Sequence, residues 1–478
     1  MIDIGFDTIG NATVICYDEG PVLATDPWVQ GSAYFGSWTN SHVIPEEQMT
    51  AIMASRFIWF SHGHPDHLNP ESVGLFRNHQ ILLPDHYGGR IATELKNNGF
   101  KVSILPDKQW VTLSPRIKVL CITDYNQDAI LLIDINGRLL VNLNDASDHG
   151  WSSYVKGVIK QYRKSFLLAL CNYGCANMIN MFTEQGVRIP PQMATKVPLG
   201  ASMALASKTF GTSFVLPFSS FHKYQRTDSV WVNQYAPSLA EYAIGFQSDT
   251  SELLPAYIRY RCDNDSYTEI SPAETASDQF DPQYFGDTWS DQLEQIEASK
   301  VTRYFRSISH LERCLDFINV RVGGKDNIIE FKKRSFNRGI TFEAPRHSFL
   351  TAIQYKVFDD LLIGNFMKTT LHGKWPATGL NSDFTPYVAK YADNGGAKSK
   401  QELDEYFSEY RRRTGNINYL RHLIIAGSEH IFRSYVPRDS GLFQISRKMY
   451  WNFKGAAGLL ALPPQDGEVS RRNQHENH

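Results

Sequence analysis

Four side chains of types that commonly bind metal ions lie within six consecutive positions of this sequence. The run SHGHPDH contains His62, His64, Asp66 and His67, separated only by one glycine and one proline. Two imidazoles at this spacing can converge on one cation, while the aspartate and the last histidine turn towards a second. Such a density of ligands is rare by chance, and surface or capping roles do not explain it. The run therefore predicts a metal site. All four ligand residues are present, which argues against a non-catalytic scaffold that has lost its metal ligands.

The cluster directly follows RFIWF (56–60), an apolar segment that we predict to be a buried strand. Four ligands cannot complete two metal sites, so others must arrive from distant strand ends. Asp145, at the end of the predicted strand RLLVNLND, is a candidate bridging carboxylate, for which the alternative is an N-cap or turn role. His222, just after VLPFSSF, is a candidate for closing the second site, for which the alternative is a structural role.

The elements that must position these residues alternate between β-branched runs and helical patterns. ATVICY (12–17) and PVLAT (21–25) are predicted to pair across a DEG turn, and the NG of INGR (135–138) predicts a hairpin. Several predicted strands are apolar throughout, which is typical of a sheet covered on both faces. The first half of the chain therefore has the pattern of an α/β fold.

The amino-acid composition and the pattern of predicted elements change after about residue 235. Residues 236–290 are rich in polar residues and proline and are predicted to form a connecting segment. Residues 291–463 are predicted to form a C-terminal α+β domain, in which 348–364 is one amphipathic helix. Residues 464–478 are polar and predicted to be a disordered tail. We expect the C-terminal domain to supply a wall over the site, although its aromatic residues favour core packing.

The composition is that of a globular protein with little charge bias. Apolar residues make up 42% of the chain, and 48 basic residues balance 50 acidic ones, so no net field favours nucleic acid or an anionic membrane. No run of about 18 apolar residues predicts a membrane span, and the first residues lack a signal-peptide pattern. Six scattered cysteines fit reduced thiols. We expect a cytoplasmic protein that binds a small-molecule substrate, and neither nucleic acid nor a membrane.

Two segments resemble a known family. TDPWVQGSAYFGSW (25–38) and FIWFSHGHPDHLNPES (57–72) resemble the metallo-β-lactamase superfamily and, more narrowly, the metal domain of CMP-N-acetylneuraminate hydroxylases. The resemblance implies a catalytic domain over residues 1–235 with the αββα sandwich of that superfamily and a metal site at one edge. It also implies a ligand set, in which the first metal takes His62 and His64, the second takes Asp66, His67 and His222, and Asp145 bridges the two.

One departure from the family pattern concerns the first metal. The family usually supplies a third histidine from a loop that corresponds to residues 120–128, but this chain has CITDYNQDAI there, without a histidine. Asp124 stands closest to the expected place, and Asp128 is the second possibility. Alternatively, His86 or His149 enters from a neighbouring loop as the missing ligand. A carboxylate at this place makes the ligand set richer in oxygen, which favours iron and leaves zinc or manganese as alternatives.

A second departure concerns electron transfer. The family's Rieske domain carries Cys-x-His and Cys-x-x-His pairs, and this sequence contains neither. An oxygenase of this kind would need dioxygen and a separate electron donor, unless the substrate itself supplies the electrons.

Two functions compete at this stage. We favour a di-iron oxygenase that oxidises a small organic or sugar-like substrate, because a carboxylate replaces the third histidine. The alternative is a binuclear hydrolase of a lactone, amide or phosphodiester, in which Asp66 and Asp145 orient a metal-bound hydroxide. Lys223 and Arg226 could bind an anionic substrate in that case, although an ordinary solvated turn is the simpler interpretation.

Overall fold

The computed structural model describes residues 3–424, except for 125, 171–178, 192–193, 195–197, 220, 332–337, 376–378, 382–383 and 392–395. The predicted disordered tail, 464–478, lies outside the described residues. Within the part of the chain that is described, no helix is long and apolar enough to cross a membrane.

Among the described residues, 22 strands and 11 α-helices have both ends defined, and residues 416–424 are also helical. The strands are β1 (Ile4–Ile9), β2 (Thr13–Asp18), β3 (Pro21–Thr25), β4 (Trp38–Asn40), β5 (Phe57–Trp59), β6 (Gln80–Pro84), β7 (Lys101–Leu105), β8 (Trp110–Ser114), β9 (Ile117–Thr123), β10 (Ala129–Ile135), β11 (Arg138–Asn144), β12 (Lys164–Ala169), β13 (Met181–Thr183), β14 (Phe214–Pro217), β15 (His222–Tyr224), β16 (Glu252–Leu253), β17 (Ile258–Arg261), β18 (Ser266–Glu269), β19 (Phe317–Val322), β20 (Lys325–Glu330), β21 (Arg338–Glu343) and β22 (Lys368–Gly373). The helices are α1 (Glu46–Ala54), α2 (Pro70–Val73), α3 (Arg90–Asn97), α4 (Ser152–Ile159), α5 (Leu199–Phe210), α6 (Gln295–Ser307), α7 (Leu311–Cys314), α8 (Arg346–Tyr355), α9 (Phe358–Gly364), α10 (Thr385–Tyr391) and α11 (Lys400–Thr414).

Two large sheets build the first half of the molecule. The first sheet has the order β18-β17-β1-β2-β3-β5-β6-β7, and the second has the order β16-β14-β12-β11-β10-β9-β8. The predicted pairing of β2 with β3 is confirmed, and so is the β10–β11 hairpin. Asn136 and Gly137 turn this hairpin with φ of 49° and 80°, because a two-residue turn that matches strand twist requires positive φ at both positions.

The two sheets pack face to face, with helices on their outer faces. One apolar core joins their inner faces and includes Phe6, Leu23, Leu131 and Phe166. On the outer faces, α1 packs against β2 and β3, and α5 packs against β14. Strands of this kind are buried on both sides, which explains their continuous apolar runs. The predicted αββα sandwich with further α+β structure is therefore confirmed.

The carboxyl ends of several strands meet at one edge of this sandwich. In the first sheet β3 and β5 run parallel, and in the second β11, β12 and β14 run parallel. Parallel strands end at the same edge of a sheet, so residues that follow β3, β5, β11 and β14 are gathered there. This geometry explains how positions far apart in sequence can form one site.

The later part of the chain forms a third sheet with its own core. Its order is β13-β22-β21-β19-β20, and helices α6, α8 and α9 contribute to the apolar cluster beside it. Strands β17 and β18, within the segment 236–290, extend the first sheet by pairing along β1. Strand β13 comes from the first half of the chain and pairs with β22. The two halves are thus joined through their sheets as well as along the chain.

The prediction of one continuous helix over 348–364 is wrong. The segment forms α8 and α9, with a left-handed residue, Lys356 (φ 58°), at the end of α8. The apolar pattern continues through this break because both helices bury residues in the same core, among them Phe349 and Phe358. The spacing of apolar residues indicates which residues are buried, but it does not indicate where one helix ends and the next begins.

A buried arginine connects the two halves of the molecule. The guanidinium of Arg226 is fully buried, and it donates to Asp287 at 2.7 Å and to Asp228 at 2.9 and 3.0 Å. Its Cζ atom also lies 3.9 Å from the centre of the Phe366 ring. Asp287 in turn accepts hydrogen bonds from Ser348 in α8. Because this side chain is enclosed and paired, Arg226 does not have the exposure that the suggested role in anion binding requires.

We expect Arg226→Ala to lower the free energy of unfolding by about 3–5 kcal/mol, because it leaves the buried carboxylate of Asp287 without its cation. Urea unfolding followed by circular dichroism measures this loss. Lys223→Ala is the matched control, because Lys223 pairs with Glu274 at the surface, where screening by water makes a pair weak. Equal losses in the two variants would contradict the proposed importance of the buried pair.

Candidate metal centre

The SHGHPDH run forms a closed loop directly after β5. The loop turns on hydrogen bonds from the backbone N–H groups of His67 and Leu68 to the carbonyl of His64. Asn69 stabilises the end of the loop, because its side-chain amide donates to the carbonyl of Pro65 and its oxygen caps α2. These bonds direct the imidazoles and the carboxylate of the run towards the edge of the sandwich.

The first two histidines converge with the predicted bridging carboxylate. His62 Nε2 lies 2.9 Å from His64 Nδ1. Ligand-type atoms of His62, His64 and Asp145 all lie within 4.8 Å of one another, a grouping that could hold a metal ion. Burial, together with the neighbouring imidazoles of His67 and His64, lowers the pKa of His62 well below its usual value. His62 is therefore a neutral ligand at neutral pH, which is the form that binds metal ions.

His67 lies at the centre of the group and is completely buried. Its Nδ1 is 3.3 Å from Asp26 Oδ2, and its Nε2 is 3.4 Å from Asp66 Oδ2 and 3.6 Å from Asp145 Oδ2. Neither ring nitrogen makes a hydrogen bond of good geometry to any described residue. Buried polar atoms are normally hydrogen-bonded, so this arrangement is costly unless another group, such as a cation, is bound nearby.

Asp66 is held by two residues that the sequence did not single out. The Tyr34 hydroxyl donates to Asp66 Oδ1 at 2.6 Å, and the Asn11 amide donates to Oδ2 at 3.0 Å. Although burial raises the pKa of Asp66, the charges of His67 and His64 and the contacts with His67 and the Tyr34 hydroxyl hold it well below its usual range. Asp66 is therefore ionised and fixed in orientation. Tyr34 lies in the family-like segment 25–38, which was the available signal for it.

His222 lies in a separate two-stranded sheet, where the charges of Asp66 and Asp145 act on it. It begins β15, which pairs with β4, and its ring stacks on Trp38 with centres 3.3 Å apart and planes 3° from parallel. Burial lowers the pKa of His222 to about 4, and its Nδ1 has no hydrogen-bond partner among the described residues. The nearest charged groups that act on it are Asp66 and Asp145. The stacking keeps a neutral imidazole at the centre.

A buried polar network supports the loop from below. Asp26, which follows β3, accepts the backbone N–H of Ser61 at 2.7 Å and also the side-chain amide of Asn144. Asp26 and Asn144 have φ of 40° and 54°, in the left-handed region that costs non-glycine residues free energy. This strain lies beside His67 and joins the ends of β3, β5 and β11. The TDPW motif indicates that Asp26 takes part in the site, but the sequence does not indicate which residues Asp26 contacts.

The structure does not bring Asp124 into this group. Its Oδ2 accepts a hydrogen bond from His149 Nδ1 at 2.8 Å, and its Oδ1 accepts the backbone N–H groups of Asn126 and Asp128. Burial raises the pKa of Asp124 to about 7. The alternative ligand His149 is thus paired with Asp124, and His86 donates from Nε2 to the carbonyl of Ser61.

Asp128 differs from Asp124 in the charged groups that act most strongly on its pKa. Burial and the charges of Asp124 and Asp145 raise the pKa of Asp128 well above its usual value, while His64 and His67 act in the opposite direction. The charges that act most strongly on the pKa of Asp124 are those of Lys390, which lowers it, and Asp148, which raises it. Of the two carboxylates proposed for the third position, Asp128 is the one whose surroundings include the cluster.

Two further carboxylates come from the C-terminal half and were not anticipated from the sequence. Asp359 Oδ2 lies 3.3 Å from His64 Nε2, and ligand-type atoms of His64, Asp359 and Asp360 lie within 4.8 Å of one another. Burial lowers the pKa of His64, but its hydrogen bond to Asp359 and the nearby acids outweigh burial and raise it to about 10. The expected wall over the site thus includes acidic side chains, whereas Phe358 and Phe366 lie in the core.

The donor set fits one or two cations. His62, Asp66, His67 and His222 are buried. Both ring nitrogens of His67 and Nδ1 of His222 have no hydrogen-bond partner among the described residues. Separation of such groups from water is costly without compensating charge. The mixture of nitrogen and oxygen ligands is one that iron, manganese and zinc all accept.

The αββα sandwich with this site at its strand ends is the arrangement that the resemblance to the metallo-β-lactamase superfamily implied. Solved structures similar to this chain include CmlA, a diiron β-hydroxylase from Streptomyces venezuelae (14% identity, 54% of each chain, TM-score 0.36). They also include Igni18, a metallo hydrolase from Ignicoccus hospitalis (12% identity, 56% of this chain and 99% of that one, TM-score 0.36). The metallo-β-lactamase fold protein YhfI from Bacillus subtilis is another (10% identity, 52% and 90%, TM-score 0.29).

Sequence comparison also finds the hydroxylases, as partial matches. A cytidine monophosphate-N-acetylneuraminic acid hydroxylase of Asterias rubens is 24% identical over 136 residues, which are 27% of this chain and 21% of that protein. A putative Rieske 2Fe-2S iron-sulfur protein of Mycolicibacterium smegmatis is 30% identical over 95 residues, 20% of this chain and 18% of that protein. The chain thus matches only about a fifth of the length of these relatives. No family model matches it.

We expect Asp128→Asn to weaken metal binding by more than about tenfold, because it removes a carboxylate from the edge of the cluster. Asp124→Asn is the matched control, since asparagine keeps the oxygen that accepts the backbone N–H groups of the loop. Titration with Mn²⁺ against a competing chelator measures both variants. A loss confined to Asp124→Asn would instead favour Asp124 as the third ligand of the first metal.

Proposed function

We propose that this protein is a metal-dependent enzyme and, more specifically, a di-iron oxygenase that oxidises a small organic or sugar-like substrate. The observation that carries the proposal is the mixed donor set, in which Asp66, Asp145, Asp359 and Asp360 lie beside the imidazoles of His67 or His64. Ligand-type atoms of Asp359 and Asp360 lie within 4.8 Å of His64, and the charges of Asp145, His64 and His67 act on Asp128. Ligands rich in oxygen favour iron or manganese over zinc.

Each of the ligands has a definite role in this proposal. His62 Nε2 and His64 Nδ1 would hold the first ion, together with Asp128 in place of a third histidine. Asp66, His67 and His222 would hold the second, and Asp145 would bridge the two. Iron bound in this way supplies the activation of dioxygen, with electrons from a separate donor protein or from the substrate.

The surrounding residues fix the orientation of the proposed ligands. Tyr34 and Asn11 occupy one lone pair on each oxygen of Asp66, which fixes the direction of the remaining lone pairs. Asp26 lies against Nδ1 of His67, and it therefore favours the tautomer that leaves Nε2 available as a ligand. Trp38 excludes water from one face of His222. These contacts hold the donors in place before substrate binds.

The proposed ligands differ in their exposure to solvent, and this difference indicates where substrate approaches. The side chain of His67 is fully buried and that of Asp66 is 4% exposed, whereas those of His64 and Asp145 are 25% and 26% exposed. Substrate would therefore reach the centre over His64 and Asp145. The carboxylates of α9 border this opening, which disfavours strongly anionic groups beside them.

A binuclear hydrolase is the alternative, because the same ligands would lower the pKa of a bound water. Asp66 would then orient a hydroxide, and the metals would stabilise the oxyanion of a lactone, amide or phosphodiester. The oxygen-rich donor set is the feature that makes us prefer the oxygenase.

Replacement of His67 with Ala should abolish binding of the second ion and all activity while soluble protein remains, because one ligand is removed and no apolar core residue is changed. His64→Ala should do the same to the first ion. Elemental analysis of purified protein, with circular dichroism to verify folding, measures both effects. His79→Ala is a suitable control, since that side chain is distant in the fold and contacts the Met53 carbonyl. Unchanged metal content in His64→Ala would count against the assignment.

Metal identity separates the two functions. We expect freshly purified protein to contain about two equivalents of iron and to consume oxygen when a chemical reductant is added, with a change in its optical spectrum on exposure to air. Protein with stoichiometric zinc and no iron-dependent oxygen uptake would remove the oxygenase proposal. Turnover of a lactone or phosphodiester under anaerobic conditions would then assign the hydrolase.

A further inference from the structure

The start of α9 brings a carboxylate from the C-terminal half into contact with a proposed metal ligand. Asp359 Oδ2 lies 3.3 Å from His64 Nε2, and Asp359 is only 7% exposed. The two residues are 295 positions apart in sequence, so only the packing of the two halves brings them together. The adjacent Asp360 lies on the same turn and near the same imidazole.

The two nitrogens of His64 face different groups. Nδ1 faces His62 Nε2 at 2.9 Å, on the side where the other proposed ligands of the first metal converge. Nε2 faces Asp359 on the opposite side of the ring. A neutral imidazole that binds a metal through Nδ1 carries its hydrogen on Nε2, and that hydrogen needs an acceptor when it is buried. A carboxylate in this place fixes the tautomer and the ring orientation and makes the ligand more basic.

Helix α9 is anchored at its other end to the part of the fold that carries His222. The Ser37 hydroxyl donates to the carbonyl of Gly364 at 2.6 Å. The side-chain amide of Asn365 donates to the hydroxyl of Tyr224 at 3.0 Å, and Tyr224 lies in the same short strand as His222. The helix is therefore held at both ends against the metal centre, which gives Asp359 a fixed position.

We propose that Asp359 is a positioning residue of the metal centre, which accepts the Nε2 hydrogen of His64 so that Nδ1 is presented to the first metal ion. The proposal rests on the proposed metal site and deepens it. The C-terminal half is then a functional part of the centre, because it supplies the acceptor that orients one of the ligands.

The experiment compares Asp359→Asn with Asp360→Asn in the full-length protein. Both changes replace a carboxyl group on the same turn of α9 with an amide of the same shape, but only the first alters the acceptor for His64. Titration with Co²⁺ against a competing chelator gives affinity and stoichiometry. For Asp359→Asn we expect an affinity for the more weakly bound Co²⁺ about 10–100-fold lower with the number of ions unchanged, and for Asp360→Asn a clearly smaller loss.

Proton NMR of the Co²⁺ form supplies a readout that a general loss of stability does not reproduce. The Nε2 hydrogen of a histidine bound through Nδ1 gives a strongly shifted signal that exchanges with water. In the wild-type protein we expect one such signal, absent in His64→Gln, to exchange slowly because Asp359 accepts its hydrogen. In Asp359→Asn this signal should exchange rapidly or disappear, whereas Asp360→Asn should retain it.

Three results would overturn the inference. An affinity and a slowly exchanging signal unchanged in Asp359→Asn would show that the contact does not position His64. Loss of one equivalent of Co²⁺ in that variant would make Asp359 a ligand itself. Absence of any slowly exchanging signal in wild-type protein that binds Co²⁺ would refute it even if the variant did not fold. Wild-type protein that binds no Co²⁺, Mn²⁺ or Fe²⁺ would overturn the proposed function as well, so the two failures are distinguishable.

Discussion

Ionisable side chains that are removed from water at a common sheet edge must find compensating charge, and this requirement shapes the centre of the molecule. His67 is fully buried among Asp26, Asp66 and Asp145, with distances of 3.3 to 3.6 Å between the ring and the three carboxylates. No apolar core would gain from such an arrangement, because each charged group loses hydration on burial. The surrounding fold therefore stabilises a group of residues that is unfavourable by itself, as is common at sites that bind a cation.

The parallel strands of the two sheets make this gathering possible. Strands β3, β5, β11 and β14 end at the same edge, and the network of Asp26, Ser61 and Asn144 connects the ends of three of them. Positive φ at Asp26 and Asn144 shows that the backbone is bent away from ordinary strand geometry there. The apolar core between the sheets provides the stability that offsets this strain.

The packing of the two halves against each other brings part of the C-terminal half into contact with the site. The buried pair of Arg226 and Asp287 fixes one boundary between them, and α9 contacts the metal centre at another. The acids at the start of α9 add negative charge beside His64, which would strengthen attraction for a cation. Specificity in this fold commonly depends on elements outside the sandwich, and α9 is in the right place for such a role.

The sequence by itself determined the elements and the residues whose local pattern carries a chemical signal. The β10–β11 hairpin follows from an Asn-Gly turn, and the SHGHPDH run follows from the rarity of four ligands in six positions. Asp145 and His222 could be selected because each follows an apolar strand, and the structure brings both to the cluster. These inferences depend on short-range rules, which hold whatever the rest of the chain does.

Only the tertiary structure decided which remote groups meet. The sequence favours Asp124 over Asp128, yet a turn of a few residues directs Asp124 towards His149, whereas the charges of His64, His67 and Asp145 act on Asp128. The family-like segment 25–38 includes Tyr34 but does not show its contact with Asp66, and no pattern marked Asp359. The importance of both residues lies in one contact each, which depends on how the sheets and helices pack. Such contacts depend on the relative positions of elements far apart along the chain, and periodicity and spacing carry no information about those positions.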